Sequence, residues 1–258
     1  YDPRRRTVYA DELHKLRGRK GLTPEDAVRL LKSTTYFAPM MVRMGDADGY
    51  LGGVSHHYPD IVRPCLHTIG PDPDSHRIVG TYMMTVNGQL MFIGDATINI
   101  YPDSRTLAEI AVQTAKVARR FGVKPKVAML SFSNFGTSGE LRTDRIEEAV
   151  SIARELDPGL IIDGPMQADT ALVPDIQEDY PFMAFDGPAN VLICPNLASA
   201  NIAYKLLQRI AGAEMTGPIL EGLSKPAHVL QRGDSVRDVV QISPICAVDA
   251  QRRARQRL

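Results

Sequence analysis

The sequence predicts an α/β protein with a largely parallel sheet. In the middle of the chain, three short apolar strands are expected at residues 127–132, 160–162 and 191–194, and a loop and then a helix follow each of them. Consecutive strand–loop–helix units place their strands side by side in parallel and pack their helices on the faces of the sheet. The 258 residues, with 44% hydrophobic and 23% charged content, suit a globular protein of this class.

Local patterns predict the elements before these strands. Thr23-Pro24-Glu25-Asp26 combines an N-cap, a proline at the first helical position and two acids at the positive end of a helix. Residues 78–86 and 90–94 flank Asn87-Gly88, the dipeptide typical of a type I′ turn, and therefore predict a β-hairpin. The glycine-rich residues 51–54 predict a short strand that leads into a polar loop.

Amphipathic helices are expected in the rest of the chain. A last helix should run from Ser235 to about Arg253, with a kink or a break at Pro244, because proline has no amide hydrogen to donate. The other helices are predicted by apolar residues at helical spacing. One face runs from Leu107 to Phe121; a second, facing inward, consists of Ile146, Ala149, Val150, Ala153 and Leu156; a third helix runs through Ile202, Leu206 and Ile210.

The charge balance excludes several classes of partner. Thirty basic residues equal thirty acidic ones, so the chain has no net field to hold nucleic acid or an anionic membrane. No apolar run approaches the roughly 20 residues that a membrane-spanning helix needs. The chain starts at Tyr1 without an initiator methionine, and we expect it to be a fragment with sequence missing upstream.

The cysteines and histidines do not predict a metal site or a nucleophile. Cys65, Cys194 and Cys246 are odd in number and widely spaced, which favours buried, inert thiols in a reducing, cytoplasmic compartment. His56-His57 has no third ligand at a suitable spacing, so no metal is expected. Two further histidines, at positions 67 and 228, are interpreted as core or polar-network residues.

Two sets of residues are candidates for binding an anion. The loop at 131–139 follows a strand, and its small residues could offer backbone N–H groups to a ligand, although an ordinary loop is the more frequent outcome. Four arginines near predicted element ends could form forked hydrogen bonds with phosphate, but each taken singly is more often a solvated surface residue. They are Arg17, Arg63, Arg209 and Arg232.

Several stretches, in order along nearly the whole chain, together resemble the phosphotransacetylase family. They are Lys20-Gly21-Leu22-Thr23, residues 36–41, Gly45-Asp46-Ala47-Asp48-Gly49, Asp60-Ile61-Val62-Arg63-Pro64, residues 126–133, residues 162–169, Ala189-Asn190-Val191, residues 201–205, and residues 217–226. Members of this family transfer an acetyl group reversibly between coenzyme A and phosphate. The resemblance therefore predicts acetyl-CoA as a ligand and a cytoplasmic homodimer or higher homo-oligomer.

The resemblance also implies a particular architecture. The family has two α/β lobes, each with three αβα layers and a mainly parallel sheet, as in isocitrate and isopropylmalate dehydrogenases, with a cleft between the lobes. By analogy, residues 1–73 and 218–258 would form the first lobe, with its N-terminal part missing here. Residues 74–217 would form the inserted second lobe.

Candidate site residues are carried over from the family by the same resemblance. The four arginines would bind the phosphate and the acyl group and stabilise the oxyanion of a carbonyl under attack. Asp238 would take the proton of the coenzyme A thiol. The predicted ligand-binding residues are Arg17, Arg63, Arg209, Arg232, Ser133, Asn134 and Gly136, and the predicted ancestral catalytic residues are Arg232 and Asp238.

The chain departs from the family pattern at two places. The usual Leu-Ser-Arg-Gly reads Leu-Gln-Arg-Gly, with Gln231 in place of the serine, and the usual Ser-Thr-Lys-Gly reads Ser133-Asn134-Phe135-Gly136. Ser133-Asn134-Phe135-Gly136 and Lys225-Pro226-Ala227-His228-Val229-Leu230 resemble the versions found in the phosphotransacetylase-like domain of hybrid malic enzymes. They favour a regulatory domain that binds acetyl-CoA as an allosteric inhibitor, mediates oligomerisation and has lost its transferase activity. In that case an upstream malic enzyme module would hold NADP and a divalent metal. The alternative is an active phosphate acetyltransferase.

Overall fold

A computed structural model describes residues 3–73, 75, 77–136 and 144–255. The helices are α1 (Pro3–Arg17), α2 (Pro24–Leu30), α3 (Thr34–Met44), α4 (Tyr58–Thr68), α5 (Ser104–Arg120), α6 (Asp144–Leu156), α7 (Ala168–Leu172), α8 (Pro174–Gln177), α9 (Leu197–Ile210) and α10 (Val236–Arg255). The strands are β1 (Tyr50–Gly52), β2 (Val79–Val86), β3 (Gln89–Gly94), β4 (Lys126–Leu130), β5 (Ile161–Met166), β6 (Val191–Ile193), β7 (Glu214–Glu221) and β8 (Ala227–Val229). A 3-10 turn, Gly18–Lys20, follows α1.

The chain divides into two compact units. The first consists of residues 1–76 and 222–258, and the second of residues 77–221. The sequence-based limits of the two lobes were residues 73/74 and 217/218. Among the described residues, no helix is both long enough and apolar enough to cross a bilayer.

The second unit is built on a six-stranded sheet in the order β5-β4-β6-β3-β2-β7. The first four of these strands are parallel, whereas β2 is antiparallel to both of its neighbours. The predicted α/β class with a mainly parallel sheet is thus confirmed for this unit, with helices packed on both faces. The predicted hairpin is also confirmed, because Asn87 and Gly88 join β2 to β3 with φ values of 50° and 77°.

Two predicted details of this unit are wrong. Leu156 does not face inward: it ends α6, and 39% of its surface is exposed. Strand β5 continues past Ile162 as far as Met166, although Gly164-Pro165 suggested a loop. The sheet order explains the second error, since β5 is an edge strand, where proline is tolerated because one side of the strand needs no hydrogen-bond donor.

The first unit is mainly helical. Helices α1 to α4 pack around a core that includes Tyr9, Leu13 and Met40, and the short parallel pair β1–β8 contacts α10. Thr23 caps α2 as predicted, because its side chain accepts the Asp26 N–H at 3.1 Å. The unit therefore presents helix ends and loops, rather than the edge of a large sheet, to any ligand.

Pro244 does not break α10, which is continuous from Val236 to Arg255. A proline at this position leaves the carbonyl of the residue four positions earlier without its helical donor. That residue, Val240, has an exposed side chain, so solvent can reach this side of the helix. Deeper in the unit, His228 of β8 is buried and its Nε2 lies 3.1 Å from a carboxylate oxygen of Asp249 on α10.

Candidate functional site

The first unit gathers three cationic side chains around a histidine and a tyrosine. Arg17 is the last residue of α1, Lys20 lies in the 3-10 turn that follows, and Arg63 is on α4. We call Arg17, Lys20 and Arg63 the cationic cluster. His67 lies one turn after Arg63 on the same helix, and its Nδ1 is 3.0 Å from the hydroxyl of Tyr36 on α3. The packing of α1 and α3 against α4 brings these residues together.

The electrostatics of His67 and Tyr36 show the influence of the cationic cluster. The pKa of His67 is lowered, first by burial and then by the positive charges of Arg17, Arg63 and Lys20. The pKa of Tyr36 is raised by burial, against the opposing effect of the two arginines. A half-buried neutral histidine therefore sits within a positively charged region.

Among the described residues, no carboxylate forms an ion pair or a hydrogen bond with a member of the cationic cluster. Elsewhere arginines of this unit do have carboxylate partners: Arg43 lies 3.2 Å from Glu12, and Arg253 lies 2.9 Å from Asp72. Grouping like charges without counterions raises the free energy of the empty site. A bound anion removes that repulsion, so the cluster has the character of an anion-binding site.

A second cationic group of the first unit lies near the start of α4. Arg232 Nη1 is 3.4 Å from Nε2 of His57, the residue that precedes the first turn of that helix. His57 therefore has the guanidinium group of Arg232 as a neighbour. Both side chains are exposed and can reach a ligand in solvent.

The predicted proton acceptor Asp238 is placed by the start of α10. Its Oδ2 accepts hydrogen bonds from the backbone N–H and the hydroxyl of Ser235, both at 2.7 Å. This arrangement is a capping box, in which the residue before the helix and the third residue of its first turn bond each other reciprocally. Beside it, Gln231 donates its backbone N–H to Asp234 at 2.6 Å.

The predicted loop of the second unit follows β4, and its polar groups bond to neighbouring protein groups. Asn134 accepts the Gln167 N–H at 2.7 Å and donates to the hydroxyl of Tyr180 at 3.0 Å. The Phe135 N–H donates to a backbone carbonyl at 2.7 Å, so it does not point to a ligand. Ser133 is buried, Gly136 has a φ of 75°, and residues 137–139 of the predicted loop lie outside the described residues. The ligand role of Ser133, Asn134 and Gly136 stays a prediction.

The remaining candidates are distributed over both units. Arg209 is exposed on the last turn of α9 in the second unit, and its proposed ligand contact stays a prediction. The three cysteines are buried as predicted, and burial raises their thiol pKa values to about 12 for Cys65 and about 11 for Cys194 and Cys246. Buried thiols with raised pKa values are poor nucleophiles.

Sequence reasoning did not assign three residues of these groups, His67, Lys20 and Tyr36, to a ligand site, although the spacing of the first two was a usable signal. His67 follows Arg63 by four residues and Lys20 follows Arg17 by three, spacings that place side chains on one helical face. The sequence contains no such signal for Tyr36. The positions of these residues depend on how α1, α3 and α4 pack.

The fold and these groups define an α/β protein whose first unit carries a cluster of arginine and lysine side chains. Comparison with known proteins then identifies the family. The family model described as phosphate acetyl/butaryl transferase matches residues 2–247, and the chain belongs to that family.

Individual relatives agree with this assignment. The phosphate acetyltransferase of Corynebacterium glutamicum is 38% identical over 243 residues, which cover 94% of this chain and 74% of the relative. The crystal structure of a phosphotransacetylase from Streptococcus pyogenes is similar with a TM-score of 0.89 and 38% identity, over 97% of this chain and 75% of that one. A phosphotransacetylase of Staphylococcus aureus gives a TM-score of 0.83 and 39% identity, over 94% and 75% of the two chains.

Proposed function

We propose that this protein is a phosphate acetyltransferase that converts acetyl-CoA and phosphate into acetyl phosphate and coenzyme A. Family membership and the names of the relatives support acyl transfer to phosphate. The observation that carries the proposal is the cationic cluster, because three cations without a carboxylate partner among the described residues suit a phosphate dianion. The proposal therefore favours the active enzyme over the regulatory domain.

The proposed reaction needs a bound phosphate, a polarised carbonyl and a proton balance. A phosphate oxygen attacks the thioester carbonyl carbon, a C–O bond forms and the carbonyl oxygen becomes an oxyanion. Arg17, Lys20 and Arg63 would hold the phosphate, and Arg232 would stabilise the oxyanion. The C–S bond then breaks and the coenzyme A thiolate leaves. The proton that the attacking hydrogen phosphate brought passes to the thiolate, so that acetyl phosphate and the coenzyme A thiol are formed.

The reverse direction assigns a role to Asp238. There the thiol of coenzyme A loses its proton and attacks acetyl phosphate, and Asp238 would accept that proton. Its Oδ2 accepts two hydrogen bonds from Ser235, and these bonds hold the carboxylate in place at the start of α10. Gln231 replaces the hydroxyl that the family pattern has beside Arg232, and a slower reaction is expected, since one lost donor to an oxyanion costs about 2.7–4 kcal/mol.

The regulatory reading is the second candidate, and the two departures from the family pattern favour it. In that interpretation the domain would bind acetyl-CoA without turnover, and an attached malic enzyme module would supply the NADP and metal chemistry. None of the relatives named above is called a malic enzyme; each is named as an acetyltransferase or a transacetylase. This interpretation therefore rests on sequence resemblance: the Gln231 departure, the Ser133–Gly136 stretch and the Lys225–Leu230 stretch.

The test is phosphate-dependent release of coenzyme A from acetyl-CoA, with acetyl phosphate measured as the second product. An active enzyme should form both products in equal amounts, and arsenate should replace phosphate as the acceptor. Turnover no faster than the protein-free background would reject the transferase. Saturable binding of acetyl-CoA without turnover would then support the regulatory reading.

The predicted homo-oligomer also remains a proposal. Helix α9 carries Ile202, Leu206 and Ile210 with 59%, 52% and 80% of their surfaces exposed. These residues are four apart and form one apolar stripe, which a second copy of the chain would cover in the proposed dimer. Light scattering of the wild type and of Leu206→Glu tests this proposal. A wild-type monomer at micromolar concentration contradicts it.

A further inference from the structure

His67 occupies an unusual position inside the anion-binding site. It is half-buried, it lies one helical turn from Arg63, and it is held by the Tyr36 hydroxyl. The charged groups that act on it come from three elements: Arg17 of α1, Lys20 of the 3-10 turn and Arg63 of α4. No carboxylate of the described residues is among them. A proton on the His67 ring would therefore add a fourth positive charge to a site that already holds three.

We propose that His67 is a proton-linked positioning residue, which takes up a proton when an anion binds to the cationic cluster. The inference deepens the proposed function, because it concerns the anion that the same cluster would hold. An anion compensates the cluster's positive charges and adds a negative charge beside the ring. Both changes favour the protonated ring, and the protonated ring in turn attracts the anion. Each event strengthens the other by the same factor.

Tyr36 can keep its hydrogen bond to His67 whether or not the ring is protonated, so proton uptake needs no change of geometry. A neutral imidazole can accept the Tyr36 O–H at Nδ1, whereas a protonated imidazole must donate from both nitrogens. A tyrosine hydroxyl can donate or accept, so it can keep the 3.0 Å contact in both states. A carboxylate in this position would instead keep the ring protonated at all times and remove the dependence on the anion.

The direction in which pH changes the affinity for the anion follows from comparing the pKa of His67 in the free protein with its pKa in the anion-bound protein. In the free protein the pKa of His67 is lowered by burial and by the cluster, so the ring is neutral near pH 7. Anion binding raises that pKa. The anion therefore binds more tightly as the pH falls, by about tenfold for each pH unit by which binding raises the pKa.

The experiment uses sulfate as the probe, because sulfate keeps its double negative charge throughout the range in which histidine titrates. Ring resonances of the histidines are followed by NMR from about pH 5 to pH 8, with and without saturating sulfate, and the His67 resonance is identified by its absence in His67→Gln. We expect the pKa of His67 to rise with sulfate. The affinity for sulfate should increase about three- to tenfold between pH 8 and pH 6 in the wild type, and should not change in His67→Gln beyond the change common to all variants.

A matched control separates this effect from other histidines. His56 lies in the same unit, and its ring contacts Ser55 at 3.1 Å in an exposed loop. His56→Gln should keep the full pH dependence. The pKa values are measured on the wild type, and the His67→Gln variant is needed only to assign the His67 resonance.

The outcomes are distinguishable from those of the proposed function. An unchanged pKa of His67 at saturating sulfate, an equal pH dependence in His67→Gln, or failure of sulfate to bind overturns the inference. Transferase activity together with any of these results would leave the proposed function standing. Conversely, a sulfate-induced rise in the pKa without acetyl phosphate formation would support the inference and reject the transferase.

Discussion

The cationic cluster of the first unit and the loop after β4 in the second unit differ in how their polar and charged groups are paired. In the loop, Asn134 bonds Gln167 and Tyr180, and the polar groups satisfy one another. In the cluster, Arg17, Lys20 and Arg63 carry charges for which the described residues offer no carboxylate. The first arrangement is what a stable loop requires, whereas the second is stable only because the side chains stay hydrated until an anion binds. Function is therefore expected where the local electrostatics are unfavourable.

The largest expected effect is a loss of activity when a member of the cationic cluster is replaced. Arg63→Ala removes one charge from the cluster but leaves α4 intact, because the side chain is exposed. Loss of one cationic contact to the reacting group should lower kcat/KM about 100-fold or more. Arg29→Ala is the matched control: it breaks an exposed ion pair with Asp26, and we expect no change in activity. A loss below tenfold in Arg63→Ala would show that the cluster does not hold the phosphate.

The sequence predicted the loop more readily than the cluster. The loop follows an apolar strand and precedes a helix, so local pattern alone located it, and the same kind of pattern predicted the hairpin at Asn87-Gly88. The cluster is assembled by three helices whose relative packing depends on distant apolar contacts. The sequence named Arg17 and Arg63 as anion-binding candidates, and the short steps to Lys20 and His67 were visible in it. It did not show that the packing of α1, α3 and α4 brings these residues together. The inward orientation of Leu156 and the possible break at Pro244 were wrong, because exposure to solvent at a helix surface cannot be deduced from spacing alone.

The second prediction concerns the loop after β4, where we expect a substitution to lower stability. Asn134→Ala leaves the Gln167 N–H and the Tyr180 hydroxyl without their partner. We expect the free energy of unfolding to fall by about 1–3 kcal/mol. Circular dichroism during urea unfolding measures this loss, since the chain has no tryptophan. An unchanged stability combined with a raised KM for acetyl-CoA would instead assign Asn134 to ligand binding, as the family resemblance implies.

A third prediction concerns two of the three buried thiols, one from each unit. Burial raises the pKa of Cys65 to about 12 and that of Cys194 to about 11, so both thiols stay protonated in the native state at a pH where the unfolded chain ionises. Each thiol's stabilising effect is complete below about pH 8 and is lost as the pH rises towards the native pKa. We expect a loss of about 1 kcal/mol per thiol between pH 8 and pH 10. Urea unfolding at both pH values measures it, and Cys65→Ala should show a smaller decrease than the wild type.

The smallest expected effect compares a neutral cap in the first unit with a charged cap in the second. Thr23 caps α2 through its hydroxyl, and Asp103 caps α5 by accepting the Thr106 N–H at 2.8 Å. Each alanine variant should lose about 1 kcal/mol of stability near pH 7. The hydrogen bonds from Thr106 lower the pKa of Asp103, so its contribution is present above the ordinary aspartate pKa and is lost as the pH falls through the lowered value.

The two caps should therefore respond differently to acid. Thermal unfolding near pH 3 should show a reduced effect of Asp103→Ala, while the effect of Thr23→Ala remains, because a hydroxyl does not titrate in this range. Acid destabilises both variants in a general way. The difference between their losses of stability therefore reports on the Asp103 carboxylate alone. Equal behaviour of the two variants at both pH values would mean that the charge of Asp103 adds nothing to its hydrogen bond. In that case electrostatics would shape the cationic cluster but not the helix ends of the second unit.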